Sequence, residues 1–330
     1  MSKKSKPIRV KLIANPGAGD VLTAASRLEQ VTGYLVDFGL QVDVALAKPK
    51  KEAIPIAKKA VKDGYDVVVA MGGDGTIGAV IRGIAGSKVK LGVIGAGTAN
   101  NIAGSLGIPE DLKEACALIA SGHTRKLDLG QISTRKRKNF YFFMVAAIGL
   151  TATIYPAVND FVDGKLAGLK DAVMTILKYQ PKPTVFLTLD DESKIEVETM
   201  LVTVANTPMS GTKNLVAPDA SMEDGLLDIS VYPDFTKAEL LSYFVKSAHE
   251  GSTPDGRIQR YRARKIEVKT DPKLDVAAEG IILGKGTCWI KVLPGALRVI
   301  APEPGPGAGA EKTKEETEQE LPAPVSPTVE

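Results

Sequence analysis

Met71-Gly72-Gly73-Asp74-Gly75-Thr76 places three glycines and a carboxylate where an apolar run, with valine at 67, 68 and 69, gives way to a helix-like stretch over 77–84. Glycine lets a backbone turn sharply and approach a ligand with no Cβ in the way. A helix that starts there offers free N–H groups and the positive end of its dipole to a phosphate. Asp74 adds an acid able to hold Mg²⁺ or to take a proton from a hydroxyl. Phosphoryl transfer is therefore the first chemistry these residues suggest. The turn alone does not decide it, because glycine-rich strand-to-helix turns are common in α/β proteins. No Gly-Lys-Ser/Thr follows, as a P-loop requires, and the spacing is not G-x-G-x-x-G.

The elements that must position this turn follow from periodicity. A strand over Pro7–Ala14 ends in the loop Asn15-Pro16-Gly17-Ala18-Gly19-Asp20. Leu22, Ala25, Leu28, Val31 and Leu35 recur at helical steps. Strands are predicted over 41–47, 66–71 and 91–94, with a helix over 52–62. The loop Gly95-Ala96-Gly97-Thr98-Ala99-Asn100-Asn101 comes next, and helical segments run to about Ser121. Strand–helix alternation predicts a mainly parallel sheet, with its glycine loops at the carboxyl edge where such sheets bind ligands. From Lys126 the rhythm changes. Strands are predicted over 126–133, 139–147, 184–190, 194–205, 226–232, 264–270 and 287–300, interrupted by one long helix over 165–179. This predicts a β-rich second domain, and the Pro/Gly/Glu/Thr-rich tail from Pro302 is expected to be disordered.

A chain of 330 residues suggests two domains, and 44% hydrophobic with 25% charged residues is the composition of a soluble globular protein. Cys116 and Cys288 stand alone, which argues against a disulfide framework or a cysteine zinc site and suits a reducing cytosol. His123 and His249 form no metal pair and are expected at the surface. No signal peptide and no apolar run long enough to span a membrane are read from the sequence. The net charge of +3 hides an asymmetry: from Glu303 on, seven glutamates oppose two lysines for −5, leaving +8 on the body. A basic body is drawn to anionic lipid or phosphate surfaces, although scattered surface lysines with no partner give the same count.

Taken in order, several motifs resemble one known family. Asn15-Pro16…Gly19, Gly72-Gly73-Asp74-Gly75-Thr76, Gly97-Thr98-Ala99-Asn100 and Leu106-Gly107-Ile108-Pro109 are similar to the catalytic domain of the diacylglycerol kinase and sphingosine kinase superfamily, with bacterial lipid kinases the nearest type. The resemblance continues through Asp128-Leu129-Gly130, Tyr141-Phe142, Gly149, Pro218-Asp219-Ala220, Asp224-Gly225-Leu226-Leu227-Asp228 and Leu293-Pro294-Gly295-Ala296-Leu297-Arg298, covering about 7–302. It implies α/β plus all-β architecture: an N-terminal phosphofructokinase/NAD-kinase-like α/β domain over 1–126, completed by a returning strand at about 294–302, and a C-terminal β-sandwich domain over 127–293 that takes the lipid. The tail is 303–330. It also implies ATP and Mg²⁺ as cofactors and transfer of the γ-phosphate to the hydroxyl of diacylglycerol or a related long-chain lipid. Asn15, Gly19, Gly72, Gly73, Gly75, Thr76, Gly97, Thr98 and Asn100 would line the nucleotide beside Asp74. Asp219 and Asp224 would hold a structural Mg²⁺, the alternative being turn or cap roles. The protein would be cytoplasmic and peripheral to the inner membrane surface, with no nucleic-acid partner and with homodimerisation left open.

This chain departs from the family pattern at several positions. Gly78 and Ala79 stand where Asn-Glu is usual, Asn101 where Asp is usual, and Met144 in place of Asn. The family's Asp-Gly-Glu, which holds the catalytic base, appears as Glu279-Gly280-Ile281. Glu279 keeps a carboxylate one methylene longer, and geometry rather than residue name sets a base's competence. An ATP-dependent lipid kinase is the first reading. A relative that binds nucleotide or lipid with weak or no turnover is the second, favoured by the lost polar groups. NAD kinase is the third, disfavoured because it too expects Asn-Glu after the loop.

Overall fold

The computed structural model describes residues 6–19, 22–48, 52–154, 174–176, 178–179, 183–208, 216–250 and 255–303. The helix expected over 165–179 lies mostly outside these residues, as does the tail from 304. Strands β1 (Arg9–Ala14), β2 (Gln41–Leu46), β3 (Val67–Gly72) and β4 (Lys90–Gly95) pair in parallel in the order β2-β1-β3-β4. Helices α1 (Ala24–Asp37), α2 (Ala53–Lys62), α3 (Asp74–Ile84), α4 (Asn101–Ser105) and α5 (Leu112–Ser121) accompany them. Every residue of β3 is buried, which is why it reads as a continuous apolar run rather than an alternating one. In α1 the buried stripe runs through Val31 and Leu35, whereas Leu22 precedes the helix and is 93% exposed. Thr23 takes the N-cap position, so the helical series starts later than the spacing predicts.

The second domain contains β5 (Thr124–Thr134), β6 (Phe140–Phe142), β7 (Val145–Gly149), β8 (Thr184–Leu189), β9 (Ser193–Ala205), β10 (Leu227–Pro233), α6 (Lys237–Glu250), β11 (Gln259–Ala263), β12 (Lys265–Asp271), β13 (Asp275–Ala278), β14 (Ile281–Lys285) and β15 (Cys288–Ile300). β9 is a corner strand. Its first half pairs with β8, and its second half pairs with β7 and β10 in the facing sheet. Val185, Leu187, Val204, Ile229, Val268 and Ile290 close a common core between the two layers. Cys288 is buried there and Cys116 is buried in the first domain; burial pushes both thiols up to about 12.

β5 and β15 join the two halves. They run antiparallel over 129–134 against 288–293 and again over 124–127 against 297–300. β15 pairs with β12 of the sandwich at one end and with β4 of the parallel sheet at the other. The register breaks at Pro294-Gly295-Ala296, where Gly295 has φ +57°. The boundary expected at 126 falls inside β5.

Three features differ from the sequence expectation. The single strand over 139–147 is two strands, broken at Phe143–Met144. α6 and β11 occupy a stretch with no predicted element. β13 and β14 form a hairpin whose two-residue turn is Glu279-Gly280, both at positive φ.

Candidate active site

The loops after β1, β3 and β4 meet at the carboxyl edge of the parallel sheet. Their approach is too close for side chains. A Cβ on Gly97 would stand 2.5 Å from the Gly73 Cα, and one on Gly19, at φ +67°, would stand 2.5 Å from the Ala96 carbonyl oxygen. A Cβ on Gly72 would meet the buried Thr76 side chain at 2.7 Å. Asn100 closes its loop on itself: it is left-handed at φ +49°, its Oδ1 accepts from Gly97 N at 2.8 Å, and its Nδ2 donates to Gly97 O at 3.0 Å. Asn15 Oδ1 likewise accepts from Gly17 N at 3.1 Å. Arg27 of α1 ties the first loop to the third through Ala18 O and Ala96 O. Beside them is an apolar pocket of 230 Å³ lined by Asn15, Pro16, Leu28, Leu46 and Met71 among others. Gly75 is exposed in the first turn of α3, and Thr98 lies in the third loop.

Asp74 binds the start of α4. Its Oδ1 accepts from Ile102 N at 2.8 Å, and its Oδ2 accepts from Asn101 N at 3.1 Å and from Asn101 Nδ2 at 3.0 Å. The substitution at 101 therefore turns a like-charge neighbour into a donor. It fixes the Asp74 carboxylate between the second and third loops.

Glu279 reaches the same region from the second domain. Its Oε1 accepts from Phe143 N at 2.9 Å and Met144 N at 2.8 Å, the two amides freed by the break between β6 and β7. Its Oε2 faces Gly78: a Cβ there would lie 3.5 Å from this oxygen and 3.3 Å from an Arg82 guanidinium nitrogen. The missing side chain at 78 thus leaves Arg82 and Glu279 facing each other across α3. Burial raises the Glu279 pKa most. The Met144 and Phe143 amides and the charge of Arg82 pull it down, while the negative charge of Asp74 pushes it up. Arg82 in turn lies over the Phe140 ring at 5.0 Å, with Arg137 at 5.3 Å from the same ring. Ala79 and Met144 are buried, and Ile281 is half-buried.

Asp219 and Asp224 belong to a separate cluster before β10. Arg262 on β11 pairs with both Asp224 and its cross-strand neighbour Asp228, the latter at 3.4 Å. Burial pushes Asp228 up to about 6; Arg262 pulls it down, and Asp224 and Asp219 push it up. A guanidinium already supplies the positive charge here. No group of three acidic, histidine or cysteine side chains in metal-holding geometry occurs among the described residues. Of the two residues expected to hold Mg²⁺, Asp224 is paired with Arg262 in this arrangement. Asp128 anchors the loop to the inter-domain ribbon instead, its carboxylate accepting from Gly225 N and Gly295 N, each at 2.7 Å.

The structure therefore brings together Asn15, Gly19, Gly72, Gly73, Asp74, Gly75, Thr76, Gly97, Thr98 and Asn100, with Glu279 opposite, and sets Asp219 and Asp224 apart. Arg82, Asp128 and Arg262 were not singled out as site residues. Arg82 had a signal, as the one charged side chain in α3 after Asp74, four residues beyond Gly78. Arg262 had none, since Arg260, Arg262 and Arg264 look alike in sequence.

Comparison with known proteins agrees with this fold. The model for the diacylglycerol kinase catalytic domain matches residues 9–132, and that for the YegS C-terminal NAD kinase beta sandwich-like domain matches 144–301. A diacylglycerol kinase of Mycobacterium tuberculosis is 28% identical over 302 residues, covering 90% of this chain and 96% of that protein. One from Bacillus subtilis is 28% identical, covering 82% and 89%. Among solved structures, a diacylglycerol kinase from Bacillus anthracis shares the fold at a TM-score of 0.71 and 22% identity, over 91% of this chain and 99% of that one. An NAD kinase from Archaeoglobus fulgidus in complex with ATP has a TM-score of 0.53 at 15% identity, over 89% and 94%. With both halves matched in order, the chain belongs to the diacylglycerol kinase family of lipid phosphotransferases.

Proposed function

We propose that this chain transfers the γ-phosphate of ATP, taken as its Mg²⁺ complex, to the hydroxyl of diacylglycerol or a related long-chain lipid at the inner membrane surface. The observation that carries the reading is Glu279. It is a half-buried carboxylate held by two amides, electrostatically coupled to Asp74, and offered by the lipid-side domain to the glycine loops. The three loops cradle the phosphates with backbone N–H groups, and the 230 Å³ apolar pocket beside Asn15 suits the base. Glu279 takes the hydroxyl proton as the acceptor oxygen bonds to phosphorus and the bond to ADP breaks. Phosphoryl transfer needs mainly such positioning and charge neutralisation. Arg82 sits where it can stabilise charge developing on the transferred group.

The test is product analysis by mass spectrometry with diacylglycerol, monoacylglycerol and sphingosine as acceptors and Mg²⁺·ATP as donor. A phosphorylated lipid made by the wild type and lost in Glu279→Gln supports the reading. No product from any acceptor would sink it. Gly78 and Ala79, which remove two polar groups from the first turns of α3, favour a second reading: a binding protein without turnover. Acyl ligand co-purifying with a chain that hydrolyses and transfers nothing would favour it.

A further inference from the structure

The hairpin between β5 and β6 carries Arg135-Lys136-Arg137-Lys138, four consecutive cations, all exposed. Its shape is fixed. Thr134 N donates to Arg137 O at 2.7 Å, Arg137 N donates to Thr134 Oγ1 at 3.0 Å, and Asn139 N donates to Ser133 Oγ at 3.1 Å. Thr134 Oγ1 also donates to Leu283 O, clamping the hairpin to β14. The four charges are thus displayed on a rigid turn rather than a free loop. The carboxylates near this face all have cationic partners: Asp275 with Lys285, Asp191 with Lys265, and Glu267 with Lys269, the last also accepting from the Trp289 indole N–H at 3.0 Å.

Two large apolar side chains flank the hairpin. Trp289, paired with Ser133 across the ribbon, is 41% exposed with the Lys138 ammonium 5.5 Å from its ring centroid. Ile282 on β14 is 40% exposed. Cations interleaved with an indole and a branched aliphatic are the composition of a membrane-interface surface, where indoles sit at headgroup level and basic residues meet anionic lipid. A nucleic-acid surface would need the charges equally but gains nothing from an exposed isoleucine. The patch is continuous with the active site, because Arg137 stacks on Phe140, whose ring also carries Arg82, the neighbour of Glu279.

We propose that the Arg135–Lys138 hairpin, with Trp289 and Ile282, docks this chain on an anionic bilayer and so presents the Glu279 cleft to the membrane surface. The inference deepens the lipid-kinase reading, since an acceptor held in a bilayer must be met at its surface.

Trp289 is the only tryptophan in the chain and reports directly on this face. The experiment uses the full chain, without ATP, and vesicles of phosphatidylcholine alone or with one-third phosphatidylglycerol. Binding and a blue shift of tryptophan emission are expected with the anionic vesicles only, weakening as salt rises. The combined substitution Arg135→Gln, Lys136→Gln, Lys138→Gln should lower partitioning about 100-fold, at roughly fivefold per charge. A charge-matched control on α2, Lys58→Gln, Lys59→Gln, Lys62→Gln, should bind as the wild type does. Equal binding by the hairpin variant and wild type would overturn the inference. So would a hairpin-dependent preference for single-stranded RNA over the vesicles with emission unshifted. Lipid phosphorylation in uncharged detergent micelles separates the two readings: the hairpin variant should retain it, and its loss there would assign the hairpin to the chemistry instead. Vesicle binding without phosphorylation by the wild type would overturn the kinase reading and leave the docking inference standing.

Discussion

Glu279 occupies the first position of a two-residue hairpin at φ +52°, where asparagine, aspartate or glycine is the usual occupant. Holding a glutamate left-handed costs about 1 kcal/mol, and strain of this kind gathers at functional positions. Here the strained turn aims the longer side chain at two amides and at Arg82. Glu279→Gln keeps shape and removes the base, so turnover should fall by about 10²–10⁴ while ATP affinity is preserved. Steady-state kinetics beside equilibrium titration with an ATP analogue separates the two; a parallel loss of binding would show a structural role. The pH profile adds a second reading. The ionised carboxylate is the working form, and burial raises its pKa above the usual 4.5. The acidic limb of kcat/KM should therefore lie above pH 4.5 and disappear in the glutamine variant.

At the scale of elements, the glycine loops form one unit because each relies on another's missing side chain. Gly97→Ala would drive a Cβ to 2.5 Å from Gly73 and 3.1 Å from Asn100 Oδ1. A loss of about 2 kcal/mol in urea unfolding and a weaker nucleotide site are expected, as for other overpacked positions. An unchanged midpoint would mean that the loops part freely. The β10–β11 pair makes a separate prediction. Arg262 offsets Asp224 and Asp228, so Arg262→Gln should cost about 2 kcal/mol by leaving buried charge uncompensated. Burial already raises Asp228 to about 6, and losing the arginine raises it further. The protonated form is the one the fold favours, so the deficit should be largest above pH 6 and shrink as pH falls through that value. Melting curves across pH check this. Millimolar Mg²⁺ should leave the wild-type Tm unchanged if the guanidinium serves in place of an ion.

For the whole molecule, the β5–β15 ribbon decides behaviour. Two cores of different architecture share both strands, and Asp128 pins the ribbon's bulge to the loop before β10. Neither half can lose its edge without unpairing the other's. Urea unfolding should accordingly be a single transition, with Trp289 fluorescence, which reports the sandwich, coinciding with far-UV circular dichroism, which is dominated by the helices of the first domain. Separated midpoints would show that the ribbon does not couple the domains.

The parallel half was legible because its signals are local. Val67–Val69 mark a strand buried on both faces, Val31 and Leu35 mark a helix stripe, and glycines mark loops that tolerate no Cβ. The order of motifs made the family and its two-domain plan readable as well. The hairpin that carries Glu279 was not readable as structure, since Ala277-Ala278-Glu279-Gly280-Ile281 lacks the Asn-Gly or Asp-Gly turn signal. Leu22 misled because an apolar residue just ahead of a cap continues the helical spacing without entering the helix. By itself the sequence determined the element types and the chemical groups available: glycines for phosphate approach, a carboxylate at 74 and another at 279. Only the tertiary structure decided which groups meet. Glu279 finds its amides 136 residues away at Phe143, and Arg262 takes the acidic loop from 38 residues away at Asp224. Such pairings depend on how the sandwich packs against the sheet, and no local pattern of residues encodes that distance.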